Sequence, residues 1–371
     1  MNLSYWEIKS WLTNIDYTIV GSGIVGLNCA LQLKQHFPKA NILILERGML
    51  PQGASTKNAG FACFGSLSEI IDDLKSHSEE EVFGLVKKRL EGLLLLRQTL
   101  SDKVIDYQQL GGYELFYNDN DIFFEHCLAQ QESINRLLKP LFKEDVFSLK
   151  DNSFGFKNIK NQYSFNKFEG HINTGKMMDS LTQLVLSKGV KILNSVLVEN
   201  FEENNDSVHI KTNHFEFKTN KLLIATNGFA SQLLDENVKP ARAQVLITKP
   251  IENLHIKGTF HLDKGYYYFR NIDNRILFGG GRNLDFKGEE TTELIQTELI
   301  QNRLETLLKT IILPETDFEI DLRWSGIMGV GNQKKPIVKQ ISNNIFCGVR
   351  LGGMGIAIGS TIGLDLAQLV K

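Results

Sequence analysis

Cysteine and proline are both scarce: four cysteines and seven prolines in 371 residues. Cys29, Cys63, Cys127 and Cys347 form no CxxC pair and no metal-framework spacing. Neither a disulfide scaffold nor a metal site is therefore expected, and scattered thiols fit a cytoplasmic protein. So few prolines, with no low-complexity tract, leave little room for a disordered linker. An excess of one charge is missing too. The 41 basic and 43 acidic side chains give a net charge of −2, which offers nucleic acid no electrostatic footprint and supplies no polybasic membrane anchor. No apolar run approaches the roughly 20 residues of a membrane span. Residues 1–16 lack the basic and then apolar segments of a secretory signal.

What is present is an ordinary globular balance, 42% hydrophobic and 23% charged. The chain is too long for one ordinary core, so two domains are expected. Residues 17–47 read as strand, glycine turn, helix and strand. The run 42–45 is continuously apolar, as in a buried parallel strand. Residues 68–145 read mostly as helix, with spacing at 85–100 and 121–138, interrupted by a strand at 113–117. Asn173 suits the N-cap of a helix ending near Lys188, and a strand follows at 190–193. Strands are expected at 208–212 and 215–218, before an apolar run at 222–226. The block 240–282 is dense in strand signals at 243–248, 266–269 and 275–278, with Asp273-Asn274 as a hairpin turn. Residues 289–309 read as helix, and 344–371 as strand, glycine loop and helix.

The sharpest motif is Gly21-Ser22-Gly23-Ile24-Val25-Gly26, between a predicted strand and a predicted helix. Gly21 permits the tight turn, Gly23 lets the backbone approach a pyrophosphate, and Gly26 lets helix and strand pack closely. The helix N-terminus offers N–H groups and a positive dipole end to phosphates. Glu46 ends the next strand, twenty residues beyond Gly26. A carboxylate there accepts hydrogen bonds from ribose hydroxyls and repels a 2′-phosphate, which argues against NADP.

Several further stretches together resemble the D-amino acid oxidase-like flavoproteins, which include glycine oxidase, sarcosine oxidase and γ-glutamylputrescine oxidase. These are Gly53-Ala54-Ser55-Thr56, Asn58-Ala59-Gly60-Phe61, Val198, residues 222–230 and the glycine loop at 348–363. Ser4-Tyr5-Trp6 is similar to the start of the putrescine-derivative oxidases. The resemblance runs in order along nearly the whole chain. It implies FAD held non-covalently by the glycine motif, Glu46, Arg47, Ser55, Thr56, Asn58, Ala59, Gly60, Phe61 and Val198. Thr226, Asn227, Gly228, Gly352, Gly353, Met354, Gly355 and Ile356 complete the implied cofactor set. The stretch 323–333 has no cysteine where some members attach flavin covalently, and Cys347 reads as a core residue.

The implied fold is α/β: a Rossmann-type FAD-binding domain from residues 14–75, 165–238 and 318–371. A second, α+β substrate domain, built on an antiparallel sheet, takes 76–164 and 239–317. The implied reaction is oxidation of a C–N bond in an amine or amino-acid derivative by hydride transfer to flavin, giving an imine that hydrolyses. Oxygen or a quinone-type carrier takes the electrons. Either Tyr267 alone or the pair Tyr266/Tyr268 faces the substrate, since neighbours on a strand alternate. Arg350, Arg242 and Arg270 are the arginines able to meet a carboxylate. Met328 stands where a glycine oxidase-like chain would carry an arginine, and His171 reads as structural. The alternatives are a 2-hydroxy-acid dehydrogenase of the same superfamily, disfavoured because 58–61 lacks a histidine, and a non-catalytic flavin-binding subunit.

Overall fold

Two eight-stranded sheets organise the computed structural model, which describes residues 2–371. The first has a parallel centre. Ile15–Val20 lies between Ile42–Leu45 and Glu216–Ile224, with Ile19 opposite both Ile44 and Leu223. Lys191–Leu193 extends one side and Ile345–Val349 the other. All four residues of Ile42–Leu45 are buried, because both faces of the sheet are covered. One face carries the helices Ile24–His36, Thr174–Ser187 and Gly355–Gln368. The hairpin formed by Val198–Glu203 and Val208–Thr212 packs on the other.

The second sheet runs in the order Ile320–Val330, Lys239–Thr248, Arg275–Gly280, Tyr267–Ile272, Thr259–Leu262, Gly112–Leu115, Gln162–Asn166 and Phe147–Asp151. Its pairings are antiparallel except for Thr259–Leu262 against Gly112–Leu115. One face builds an aromatic core in which the Phe260 and Phe269 rings stack 4.5 Å apart. Helix Glu298–Leu307 closes that core with Ile300 and Leu304. Asp273 and Asn274 both have left-handed backbones, φ 48° and 57°, as a two-residue type I′ hairpin requires.

The Asn173 cap is present, its side chain accepting from the Lys176 N–H at 3.0 Å. Other expectations need correction. The strand pieces at 215–218 and 222–226 are one strand, Glu216–Ile224, continuing through Thr219 and Lys221. Helix at 289–309 begins only at Glu298. Ile320–Val330 pairs with Lys239–Thr248 in the second sheet, so it does not extend the nucleotide sheet. The long helix Glu79–Leu100 packs on Gly355–Gln368 and sends Leu96 and Leu100 into the nucleotide-side core. An amphipathic helix shows which face is apolar, but its partner is chosen only by the assembled surfaces. Among the described residues, no helix is long and apolar enough to cross a membrane.

Candidate functional site

A cleft of about 510 Å³ runs between the two sheets, within the range of small-molecule and cofactor sites. Its nucleotide end is built by the strand–turn–helix unit. Gly21 has φ 106°, open only to glycine at ordinary cost. Gly23 is the N-cap of Ile24–His36 and has no side chain to cap it. The Ile24 N–H donates to Ser55 Oγ at 3.0 Å. Glu46 Oε2 accepts from the Ser22 N–H at 3.1 Å and from Ser22 Oγ at 2.8 Å. Its Oε1 accepts from the Gly48 N–H at 3.1 Å. The carboxylate is thus fixed at the strand end, on the wall of the cleft.

Most residues implied in cofactor binding meet on this cleft: Gly21, Gly23, Ile24, Val25, Glu46, Arg47, Ser55, Asn58, Ala59, Phe61 and Val198. Thr226, Asn227, Gly352, Gly353, Met354, Gly355 and Ile356 line it too. Asn227 Oδ1 accepts from the Leu351 N–H at 3.0 Å, which ties the strand-end loop to the C-terminal glycine loop. The Arg47 guanidinium lies 3.6 Å from the centre of the Phe229 ring.

Five residues do not line the cleft. Ser22 is buried behind it on Glu46. Gly26 backs onto the Gly21 carbonyl, and Gly228 packs under Met328. Thr56 spends its hydroxyl on the Pro51 carbonyl at 2.6 Å. Gly60 turns away with φ 76°, beside the Ile172 carbonyl. These residues shape the walls and leave the lining to their neighbours.

The cleft fits FAD by its own features. The cleft reaches the start of helix Ile24–His36, where Gly23 brings no side chain, and the Glu46 carboxylate lies on the same wall. A Cβ added at Gly53, Gly352 or Gly355 would meet only open space. Thr226 Oγ1 is buried with no partner, although its residue lines the cleft. An orphaned buried hydroxyl of this kind is costly unless a ligand satisfies it.

The opposite wall takes His261, Tyr268 and Val245 from one register row of the second sheet. Glu114, His261, Tyr268, Gly279, Val245 and Trp324 stand side by side across it. The Tyr268 ring lies over Gly279, where a Cβ would come within 2.8 Å of its hydroxyl. Burial pushes the Tyr268 phenol up to about 12, so it stays protonated and able to donate. Tyr266 also lines the cleft.

Tyr267 requires correction. It is 2% exposed, points to the other face and packs in the aromatic core beside Phe278. Alternation along the strand therefore selects the pair Tyr266/Tyr268. Arg350 also changes role. It borders the cleft, but Nε and Nη2 donate to the Lys335 carbonyl and Nη1 to the Asn237 carbonyl. Three of its five N–H donors are spent on backbone carbonyls, so it anchors the chain around 335. Arg242 is consumed by a buried ion pair with Glu289 at 2.6 Å. Arg270 donates to the Ile172 carbonyl at 2.8 Å, outside this cleft. His171 is buried, with Nδ1 unpartnered. Burial, and then the nearby Arg270 charge, push it down to about 4.

Sequence reasoning missed Cys63, Glu69, Arg89, His261, Lys264 and Lys334, which all reach the cleft. His261 had a faint signal: in the buried strand Thr259–Leu262 it alternates with Phe260 and Leu262, which fill the apolar face. The others come from helix and loop positions without local pattern. Lys57, Lys264 and Lys334 also bring amines to the cleft, whereas Arg275–Gly280 has none.

The family described as FAD dependent oxidoreductase (DAO) matches residues 16–369. A probable oxidoreductase, OrdL, of Haemophilus influenzae is 21% identical over 392 residues, covering 97% of this chain and 83% of that protein. Gamma-glutamylputrescine oxidoreductase of Escherichia coli is 22% identical over 373 residues, covering 96% of this chain and 83% of the relative. Glycine oxidase from Bacillus cereus superposes with a TM-score of 0.78 at 14% identity, over 96% of this chain and 97% of that one. L-proline dehydrogenase from P. horikoshii gives 0.73 at 17% identity, over 96% and 93%. At such identities the solved structures speak for the fold. The family match spans nearly the whole chain, and the chain belongs to the FAD dependent oxidoreductase (DAO) family, as an FAD-dependent enzyme.

Proposed function

We propose that this enzyme oxidises the C–N bond of an amine or amino-acid derivative and releases an imine that water hydrolyses. The carrying observation is the continuity of one cleft, from the cradle at Gly23 and Glu46 to the aromatic wall at Tyr266 and Tyr268. When bound, FAD supplies the two-electron acceptor, at N5, for hydride from the carbon next to nitrogen. The protein's part is placement. Phe61 and Tyr268 meet edge to face at 5.6 Å, forming a dry wall against which a neutral amine can lie. Tyr268 lines the same space, and its phenol stays protonated and able to donate. The names of two relatives, gamma-glutamylputrescine oxidoreductase and glycine oxidase, support nitrogen compounds as the substrate class.

We also propose that FAD dissociates. Cys63 is the cysteine that lines the cleft, and burial holds its thiol well above the usual range. A protonated thiol is a poor nucleophile. Oxygen or a quinone-type carrier reoxidises the flavin, and hydrogen peroxide release distinguishes them. An anaerobic panel of amines, amino acids and 2-hydroxy acids, read as flavin bleaching, tests the reaction. Bleaching by nitrogen compounds is the expected result, and bleaching by hydroxy acids alone would overturn it.

A further inference from the structure

The cleft's substrate-side wall holds a buried acid–base pair that the oxidation chemistry leaves unused. His261 is 5% exposed and Glu169 1%. Nε2 of His261 lies 3.0 Å from Glu169 Oε2. Glu169 precedes the short strand Gly170–His171 and is built into place. Thr259 Oγ1 and Asn166 Nδ2 each donate to its carboxylate at 3.4 Å. A Cβ on Gly112 would overlap that carboxylate, so the neighbouring strand leaves out a side chain where Glu169 sits.

The pair has a front and a back. His261 lines the cleft and Glu169 does not. The carboxylate stands behind the ring and fixes it through Nε2, which leaves Nδ1 for the cleft that His261 lines. The His261 ring meets Phe61 edge to face at 5.4 Å, and Phe61 meets Tyr268 at 5.6 Å. The three rings border the same space. A histidine anchored on one nitrogen by a buried carboxylate presents the other nitrogen in a defined direction.

We propose that His261, oriented by Glu169, contacts the substrate and selects amines that carry a carboxylate, which accepts a hydrogen bond from its Nδ1–H. This inference rests on the oxidation of nitrogen compounds proposed above. The groups facing His261 come from several elements. They are Glu169 behind it, Glu114 on the adjacent strand, Glu69 on helix Leu67–Asp73, and the Cys63 thiol within 4.8 Å of the pair. Arg89, from Glu79–Leu100, is buried on the cleft wall with one donor on the Phe64 carbonyl at 2.7 Å and Nε unpartnered. Burial alone would strip the ring of its proton. Glu169 first, then Glu69 and Glu114, outweigh it and hold the imidazolium up to about 9. An imidazolium has two donors and no acceptor. It can donate to a carboxylate oxygen, and its charge repels an ammonium group, so it disfavours protonated amines and polyamines at this wall.

The test is titration of the holoenzyme's flavin absorbance with acetate and, separately, with n-butylamine, between pH 7 and 10. Acetate is expected to perturb the spectrum, with its Kd rising at least tenfold as pH passes through about 9. His261→Asn should raise the acetate Kd at least tenfold at pH 7, abolish that bend, keep flavin content and bind n-butylamine no more weakly than the unsubstituted enzyme. Glu169→Gln should keep acetate binding at low pH and move the bend to lower pH. Wild-type acetate affinity in His261→Asn overturns the proposal. If that variant does not hold flavin, an unmoved bend in Glu169→Gln overturns it instead. Flavin bleached by amines, with acetate binding indifferent to His261, sinks this inference alone. Flavin that no nitrogen compound bleaches, with acetate binding dependent on His261, sinks the oxidation reading and leaves the carboxylate site standing.

Discussion

Ser55 Oγ accepts a hydrogen bond from the Ile24 N–H at 3.0 Å, so the loop after the second nucleotide strand already grips the start of the glycine-motif helix. A Cβ on Gly23 would lie 2.9 Å from that same oxygen. Gly23→Val should therefore displace Ser55 and push a branched side chain into the phosphate cradle. The expected result is folded, colourless protein, with flavin content down at least tenfold by absorbance and by fluorescence of a heat extract. Yellow protein with stoichiometric FAD would place the cofactor elsewhere.

Gly26 acts through packing. A Cβ there would overlap the Gly21 carbonyl oxygen and come within 3.3 Å of Ile19. The closer obstacle, the Gly21 carbonyl, is backbone and cannot rotate away as the Ile19 side chain can. Gly26→Ala should cost about 1–3 kcal/mol, the usual range for overpacking. A thermal melt of the flavin-free protein reads this directly. An unchanged midpoint would show that helix and strand do not approach as closely as described.

Arg242 and Glu289 illustrate how a sequence candidate becomes structural. Their side chains are 3% and 1% exposed, with Arg242 Nε on Glu289 Oε2 at 2.9 Å. Gln244 Nε2 also donates to Glu289 at 3.0 Å. Removing the guanidinium leaves a buried charge unpaired, and Arg242→Met should cost about 3–5 kcal/mol. The double variant Arg242→Met with Glu289→Leu should recover most of that loss in denaturant unfolding. Equal destabilisation by single and double variants would mean that the pair is not the reason.

The nucleotide unit was legible because its signals are local. Gly21, Gly23, Gly26 and Glu46 fall within one strand–helix–strand stretch, and each is required by the backbone path around it. That Leu96 and Leu100 enter the nucleotide-side core was not legible, because helical periodicity names a buried face and not its partner. The choice between Tyr267 and the pair Tyr266/Tyr268 stayed open for a similar reason. Alternation is visible in the chain, but its phase depends on which face receives Ile300 and Leu304. His261 and Glu169 are 92 positions apart. No spacing rule joins them, since only the parallel pairing of Thr259–Leu262 with Gly112–Leu115 brings that part of the sheet beside Glu169.

His171 gives a pH prediction of opposite sense to His261. It is buried without a partner for Nδ1, and its folded pKa is pushed down to about 4 by burial. The unfolded imidazole takes its proton near 6.5. Between these values the unfolded state binds more protons, so stability present above pH 6.5 is lost as pH falls toward 4. Unfolding midpoints from pH 7 to 4 should drop less steeply for His171→Gln than for the unsubstituted enzyme. Parallel curves would show that His171 does not titrate between those limits.

Met328 lies on the cleft, with Sδ 3.8 Å from where a Cβ on Gly353 would be. Met328→Arg places a guanidinium beside the C-terminal glycine loop. A charge-assisted hydrogen bond contributes about 1.5–3 kcal/mol, which corresponds to at least roughly tenfold in affinity. Acetate should therefore bind the variant about tenfold more tightly, read by the flavin spectrum, and no change would take Met328 out of the pocket. The two sides of the cleft can then be compared. If His261 and an arginine at 328 reach the same carboxylate, Met328→Arg in the His261→Asn background should restore much of the lost acetate affinity. If Met328→Arg leaves acetate affinity unchanged in both backgrounds, the arginine does not reach the carboxylate bound at His261. The carboxylate would then approach from the His261 side of the aromatic wall alone, which fixes how an amino-acid-type substrate lies across the cleft.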